Sequence, residues 1–420
     1  MMILNLVMSV LISSVSPSEV LTWDDCVRDV SSNNFDLKVA KENVNVFGYK
    51  KKALWGNFLP SVSANLSDSY GKSQVQGGVL IPGASNYYSA SITASQNIFS
   101  GFQNKAQLSQ SQANLEVEEW TLADVKAQVS YNLQSAFAQF LYAREYIKLT
   151  EDIAKRRAEN LNIVRLRFEG GNENKGSYLF SKAALDAAEL DHMQAQRLLE
   201  VARQQLAAVL GRTSLPEDVD LKGDLPINQP EANVDFNAVA MSIPGHQKAL
   251  SQVKANQADL TMAHSAFYPS LDFTAATSAQ DKNWFPQSTK RWSLSLGLTI
   301  PLFNGGRDFY SSYSAASALS SSIFSQQGSD IQSILNAKQA YTNFVNAVEQ
   351  VKVSNTYVSA ATVRSVISRA KYNNGLLAFE EWDQIETDLI NRQKVALQNL
   401  RDRIIAEASW LLAQGKGVIR

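Results

Sequence analysis

A single cysteine, Cys26, stands in 420 residues, so the chain has no internal disulfide. A lipid-attachment site would want small residues before it. Trp23-Asp24-Asp25 precede it instead, and Cys26 reads as a small apolar residue of the first helix. Histidine is nearly as scarce: His192, His246 and His264 stand alone, none at metal-ligand spacing from another ligand type. HExxH, GxSxG and GxGxxG are all absent. The run Gly171-Asn172-Glu173-Asn174-Lys175-Gly176-Ser177 has serine where a phosphate loop needs lysine, and it follows a helix. Excess charge is missing too: 39 basic against 40 acidic residues leave a net −1, without the basic footprint of a nucleic-acid binder. No stretch after the N-terminus is apolar enough for a transmembrane helix. The expectation is a chain with no catalytic residues, no cofactor, no metal and no nucleic acid.

What is present is pattern. Arg291–Arg307 alternates strictly. Trp292, Leu294, Leu296, Leu298 and Ile300 share one face; Ser293, Ser295, Gly297 and Thr299 share the other. Only three other runs alternate in this way: 61–70, 87–98 and 270–277. Val62, Ala64 and Leu66 on one, and Tyr88, Ala90, Ile92 and Ala94 on another, form apolar faces backed by Ser, Thr and Asn. Aromatics gather at both ends of the strands. Phe58, Phe99, Phe267, Tyr268 and Phe303 mark the helix side; Tyr70, Tyr87, Tyr88, Trp284 and Trp292 mark the loop side. Strands of this length, apolar on one face and small-polar on the other, suit a barrel wall between lipid and water.

The chain is also doubled. Asn57-Phe58-Leu59-Pro60-Ser61 recurs as Ala266-Phe267-Tyr268-Pro269-Ser270, and Asn97-Ile98-Phe99-Ser100-Gly101 as Pro301-Leu302-Phe303-Asn304-Gly305. Arg167-Phe168-Glu169-Gly170-Gly171 recurs as Lys371-Tyr372-Asn373-Asn374-Gly375. Phe99 to Phe168 and Phe303 to Tyr372 are both 69 positions, while the hairpins differ in length. Each repeat reads helix, strand, loop, strand, long helix, turn, helix. Between Gly101 and Phe168 no Gly or Pro intervenes, which gives a helix of ~100 Å. Its heptad ladder is Leu108, Leu115, Leu122, Val129, then after a stutter Phe140, Ile147, Ala154, Leu161, Phe168. Such a helix needs partners alongside. The pattern divides the chain into a signal segment at 1–16, a first repeat at 17–225 and a second at 226–420. The prolines at 216, 226 and 230 lie around the junction.

The ordered set of duplicated motifs, from the doubled Phe-x-Pro-Ser/Tyr-Pro-Ser starts to Pro301-Leu302-Phe303-Asn304-Gly305-Gly306-Arg307, resembles the outer membrane efflux protein family (TolC-type channels) over about residues 20–414. The resemblance implies a mainly α fold with a small β part. Long antiparallel helices would form an α-barrel tunnel, and four strands per chain would join a homotrimeric twelve-stranded transmembrane β-barrel. It implies an exit duct in the outer membrane with a periplasmic extension, serving a tripartite efflux or type I secretion system. Its partners would be a periplasmic adaptor (membrane fusion) protein, an inner-membrane pump and outer-membrane lipid. Trp292, Leu294, Leu296, Leu298 and Ile300 would then face lipid; Ser293, Ser295 and Thr299 would face the lumen. Glu380, Glu381 and Asp383, just past the second turn, would stand where the family carries an acidic ring at the periplasmic entrance. As helix N-terminal carboxylates they also complement a helix dipole with no further purpose. A soluble or surface coiled-coil scaffold or adhesin, with no channel, is the competing reading.

Met1–Ser16, an apolar run ending in small residues, reads as a secretory signal. N-terminal sequencing of the envelope form is expected to find the first sixteen to eighteen residues, roughly, removed. An intact Met1 in a cytoplasmic fraction would contradict the export reading.

Overall fold

The structure is a computed structural model describing residues 20–71, 85–217, 219–222, 228–284, 286 and 289–419. The signal segment and most of the first hairpin loop, with its Pro82-Gly83 turn, lie outside the described residues. In order the elements are β1 (Val20–Thr22), α1 (Trp23–Asn33), α2 (Phe35–Leu54), a short 3-10 turn (Trp55–Phe58), β2 (Ser61–Gly71) and β3 (Ser85–Ser100). Then come α3 (Gln103–Glu169), α4 (Lys175–Leu210), β4 (Asp220–Lys222), α5 (Phe236–Ser242) and α6 (Pro244–Ser265). β5 (Ser270–Asp281), β6 (Thr289–Thr299), α7 (Arg307–Asn373) and α8 (Phe379–Ala413) complete the chain. The two long helices each hold 67 residues. The chain clusters into two compact units. One comprises Met1–Lys38, Val125–Phe236 and Leu335–Arg420; the other comprises Val39–Asp124 and Asn237–Ile334. Each unit takes segments from both repeats.

In the first unit the core gathers where apolar stripes of α1, α3 and α4 meet: Cys26, Val30, Leu133, Phe137, Phe140, Leu206 and Leu210. Trp23 sits edge-on to Phe137, centroids 5.2 Å apart. Thr22 caps α1, accepting from the Asp25 amide, while the Asp25 carboxylate accepts from the Thr22 amide at 3.0 Å. The helix therefore starts at Trp23. Asn34 joins α1 to α4, donating from Nδ2 to the Val209 carbonyl at 2.9 Å. Two short strands went unread in the sequence. β1 pairs in parallel with β4, Val20 opposite Asp220, inside what reads as a proline-rich linker. Three residues are too few to show a period of two. Arg144 secures β4, donating to the Asp220 carboxylate and the Leu221 carbonyl, both at 2.8 Å.

The second unit carries the four-stranded antiparallel sheet, order β2-β3-β5-β6. The two hairpins have the same register: Ser61 opposite Ser95, and Ser270 opposite Thr299. The helix that opens the second repeat is two, α5 and α6, parted at Ile243. Pro244 opens α6 at its first position, where a missing N–H costs nothing.

Strand-to-helix corners repeat as well. Gly101-Phe102 leads into α3 and Gly305-Gly306 into α7, all four with positive φ. Phe102 holds φ 69°, a costly region for a side-chain-bearing residue. Its ring is fixed edge-on to Phe99 at 5.2 Å and Tyr268 at 5.6 Å, which offsets that strain. A Cβ at Gly101 would lie 2.7 Å from the Ser265 carbonyl oxygen; at Gly305 it would meet nothing within 4 Å. Gly305→Ala should cost about 1–2 kcal/mol, the left-handed strain alone. Gly101→Ala should cost more, since backbone must also move. Chemical unfolding of the detergent-solubilised protein checks this, and equal midpoints for the two variants would refute the close approach.

Candidate functional site

The sheet is the first candidate. Its register puts the alternating residues of all four strands in one pattern. Leu298, Leu296, Leu294 and Trp292 lie opposite Leu271, Phe273, Ala275 and Thr277. These continue across β3 to Ala94 and Ile92, and across β2 to Val62 and Ala64. The other face carries Ser293, Ser295, Gly297 and Thr299 beside Ala276, Thr274, Asp272 and Ser270, then Ser91, Thr93 and Ser95, and Asn65, Ser63 and Ser61. Ile300 keeps the apolar parity but lies one residue past the end of β6. Every residue of β2 and β6 is exposed on both faces in the single chain. Leu294, Leu296 and Leu298 are 61–63% exposed, values a core strand would not keep. Polar links sit where water would: Ser67 and Ser89 hydroxyls are 2.7 Å apart, and Asn97 donates to Asp272 at 2.7 Å. Asp68, Asp281 and Lys290 are exceptions, charged residues on the apolar face near its loop end.

Aromatic pairs mark the sheet's ends. Phe267 and Phe309 pair at 5.2 Å on the helix side, and Tyr88 and Trp284 at 5.3 Å on the loop side. Among the described residues no helix is long and apolar enough to cross a membrane. That says nothing of a β-barrel.

The second candidate is the pair of helix turns in the first unit. The α3–α4 and α7–α8 turns each hold an aromatic stack between residues ten apart: Phe168 on Tyr178 at 5.6 Å, and Tyr372 on Trp382 at 4.2 Å. These are the same positions in the two repeats. The turns also clasp each other. Arg167 donates to the Tyr372 carbonyl at 2.7 Å and lies over its ring at 4.7 Å. Tyr372 Oη donates to Glu173 at 2.8 Å. Burial and the neighbouring Glu173 carboxylate push the Tyr372 phenol well above its ordinary range.

The three acidic residues of α8 separate by role. Glu380 and Glu381 are exposed. Asp383 is taken by Arg157 of α3, at 2.6 Å, with both side chains largely buried (10% and 17% exposed). Arg157 also donates to Thr387 at 2.8 Å. One turn further, Glu386 is 1% exposed. It receives the Ser365 hydroxyl and Asn160 (3.4 Å), with Arg156 at 3.5 Å. Glu380 and Asp383 line one cavity of about 320 Å³ with Asn174, Ser177, Phe180 and Phe379; Glu381 does not. Sequence reading missed Arg157, Glu386, Arg167 and Trp382. The doubling of Phe168 and Tyr372 was visible, and extending it ten residues would have found the stacks. The buried arginine had no signal, because a basic residue on a long helix reads as solvated surface.

Among the described residues no group of three or more His, Cys, Asp or Glu is placed to hold a metal ion. His246 Nδ1 donates to the Asp330 carboxylate at 2.7 Å, and His192 Nδ1 is paired with the Thr150 hydroxyl at 3.2 Å.

Known proteins share this arrangement. The family model described as outer membrane efflux protein matches residues 27–212 and 245–415. The chain is 26% identical over 297 residues to the probable efflux pump outer membrane protein TtgC of Pseudomonas putida. That alignment takes in 65% of this chain and 58% of the relative, so under two thirds of the relative's length is spanned. Among solved structures, CusC, whose crystal structures concern transmembrane channel formation, superposes with a TM-score of 0.84 at 18% identity, covering 94% of this chain and 92% of CusC. The outer membrane protein VceC of Vibrio cholerae gives 0.82 at 16% identity, covering 94% and 96%.

Removing Arg157 strands Asp383 in a mostly buried place, and Arg157→Met should cost about 3 kcal/mol. Arg157→Met with Asp383→Leu should recover much of that, since apolar groups of similar bulk need no partner. Denaturation midpoints of the two variants decide this. A double variant weaker than the single one would mean the ion pair is not what joins α3 to α8.

Proposed function

This chain belongs to the outer membrane efflux protein family, and we propose that it is a passive exit duct through the outer membrane. The observation that carries the reading is the sheet: four alternating strands, open at both edges, whose edge strands β2 and β6 are exposed on both faces. In hydrocarbon an open sheet edge leaves backbone N–H and C=O groups unsatisfied at several kcal/mol each. Four strands are too few to close on themselves, so other copies complete the wall. Three copies give twelve strands, wide enough for a lumen lined by the small polar face, whereas two would give eight and a filled interior. The long helices then extend the duct into the periplasm as an α-barrel. A periplasmic adaptor and an inner-membrane pump are its partners at the far end.

The duct does no chemistry of its own, and the attached pump selects the cargo. Glu380 and Glu381, exposed beside the second turn, present carboxylates to whatever enters; Asp383 is held back by Arg157 as an anchor. The soluble scaffold reading is disfavoured by the apolar face, which a rod in water has no reason to keep exposed.

Leu296→Arg puts a charge on the lipid-facing wall and should cost ~2–4 kcal/mol per chain, lowering trimer yield in outer-membrane fractions. Ser295→Arg, one residue away, should leave trimers intact and lower single-channel conductance in planar bilayers. Loss of assembly in both variants, or in neither, would mean the faces are wrongly assigned.

A second outcome concerns the entrance. Multivalent cations added on the helix side should reduce the current, and Glu380→Gln with Glu381→Gln should relieve that block, because clustered carboxylates attract counter-ions. An unchanged block would leave the two as helix N-terminal charges.

A further inference from the structure

The two edges of the sheet are β2 and β6, and among the described residues no strand pairs with their outer sides. The duplication says how they meet a second copy. β2 is the first repeat's counterpart of β5: Ser61 matches Ser270, each just after its Pro-Ser motif. β3 is the counterpart of β6: Ser95 matches Thr299, each four residues before its Phe99 or Phe303. The structure tests this matching independently. Ser61 pairs with Ser95 and Ser270 with Thr299, so the two hairpins have one register. The remaining joint inside the chain, β3 to β5, is therefore the internal counterpart of the joint that β6 makes with β2 of a neighbour.

The β3–β5 joint is known in detail. Ser91 lies opposite Ser278, Ala94 opposite Ala275 and Asn97 opposite Asp272; a bulge at Ile98 follows, then Phe99 lies opposite Leu271. Transferring it by the repeat, we propose that the trimer closes with Ser295 opposite the partner's Ser69. Leu298 then lies opposite the partner's Leu66, and Ile300 opposite the partner's Ala64. Leu302 takes the extra-residue position that Ile98 occupies. The assignment rests on the trimeric duct reading above.

Two physical features agree with this register. It keeps the faces: Leu294 and Leu298 meet the partner's Tyr70 and Leu66, and Ser295 and Thr299 meet the partner's Ser69 and Asn65. A slip of one residue would set every apolar side chain against a polar one. A slip of two would keep the faces, and only the duplication argues against it. Pro301 also finds a fitting place. It lacks a ladder N–H, and it falls beside the bulge, where proline is tolerated in a sheet.

Paired cysteines test the register in full-length protein in its membrane. Cys26 is fully buried and stays inert, its thiol pushed up to about 12 by burial. Directly opposite residues of antiparallel strands lie about 4.5 or 5.5 Å apart at Cα, both within disulfide reach. Pairs are needed on both faces: Ser295→Cys with Ser69→Cys, and Leu298→Cys with Leu66→Cys. The slipped controls are Ser295→Cys with Ser67→Cys or with Gly71→Cys. After mild oxidation, non-reducing gels should show cross-linked dimers and trimers for the matched pairs, several-fold above the slipped ones. Cross-linking led by a slipped pair overturns the register. Ser91→Cys with Ser278→Cys, opposite within one chain, reports that oxidant reaches the sheet. If that control forms while no seam pair does, native mass separates the two failures: a trimer refutes the register, and a monomer or dimer refutes the trimeric duct.

Discussion

In the duct proposed above, one constraint governs the sheet: a backbone amide or carbonyl placed in hydrocarbon must have a partner. Among the described residues the large sheet has only four strands, so it cannot meet the constraint alone. On the proposed closure the chain's solution is a sheet whose edges are complementary to each other in a second copy. The exposed leucines of β6 belong to the same solution. They would be an aggregation hazard in water, and in the proposed duct they form the outer wall against lipid. Small serines and threonines on the opposite face would, in that duct, leave a lumen open where larger side chains would fill it.

The helical part answers a different need. Two 67-residue helices have too little apolar surface for a single packed core. Much of their seam is alanine and serine, small residues that let helices approach closely. The first unit therefore concentrates its packing. A large buried cluster forms where α1 and α4 lie against the middle of α3, around Phe137 and Leu206, with smaller ones around Trp382 and around Ile153. Near the turns, stability shifts to polar and aromatic contacts: Arg157 with Asp383, Glu386 among Ser365, Asn160 and Arg156, and the Tyr372–Trp382 stack. Buried charge pairs add little net stability compared with apolar packing, yet they penalise any misalignment of the helices they join. Such a network suits a region where register matters more than strength.

The sequence announced the strands better than the helical seam, for physical reasons. A period of two has little noise over ten residues, so the faces of β6 were readable to the residue. Strand ends were off by one to four residues, most at β5, which runs to Asp281 rather than Thr277. The heptad ladder was half right. Val129 and Phe140 are buried as expected, but near the turn the buried line is Ile153, Arg157, Asn160 and Val164. That line holds an arginine and an asparagine, so a reading that seeks apolar residues settles one position away, on Ala154 and Leu161. The acidic residues after the second turn were found by position, but not their division of labour. Only the partner, Arg157, more than two hundred residues away, distinguishes Asp383 from Glu380 and Glu381.

The two repeats have not diverged evenly, and the pattern shows where symmetry still matters. Hairpin registers are identical, and the aromatic stacks at the turns stand at matching positions. The corners differ: Gly306 in the second repeat holds without strain the conformation that Phe102 is forced into in the first. Phe102 gains ring contacts with Phe99 and Tyr268 that a glycine could not make. Its corner lies inside the chain, at the β3–β5 joint, where both strands are fixed by one polypeptide. The Gly305-Gly306 corner adjoins the edge strand β6, which in the proposed trimer meets a strand of another molecule. A strained, ring-locked corner can be tolerated where assembly is already intramolecular. An unstrained one leaves room for adjustment where, on the proposed closure, two separately folded copies meet.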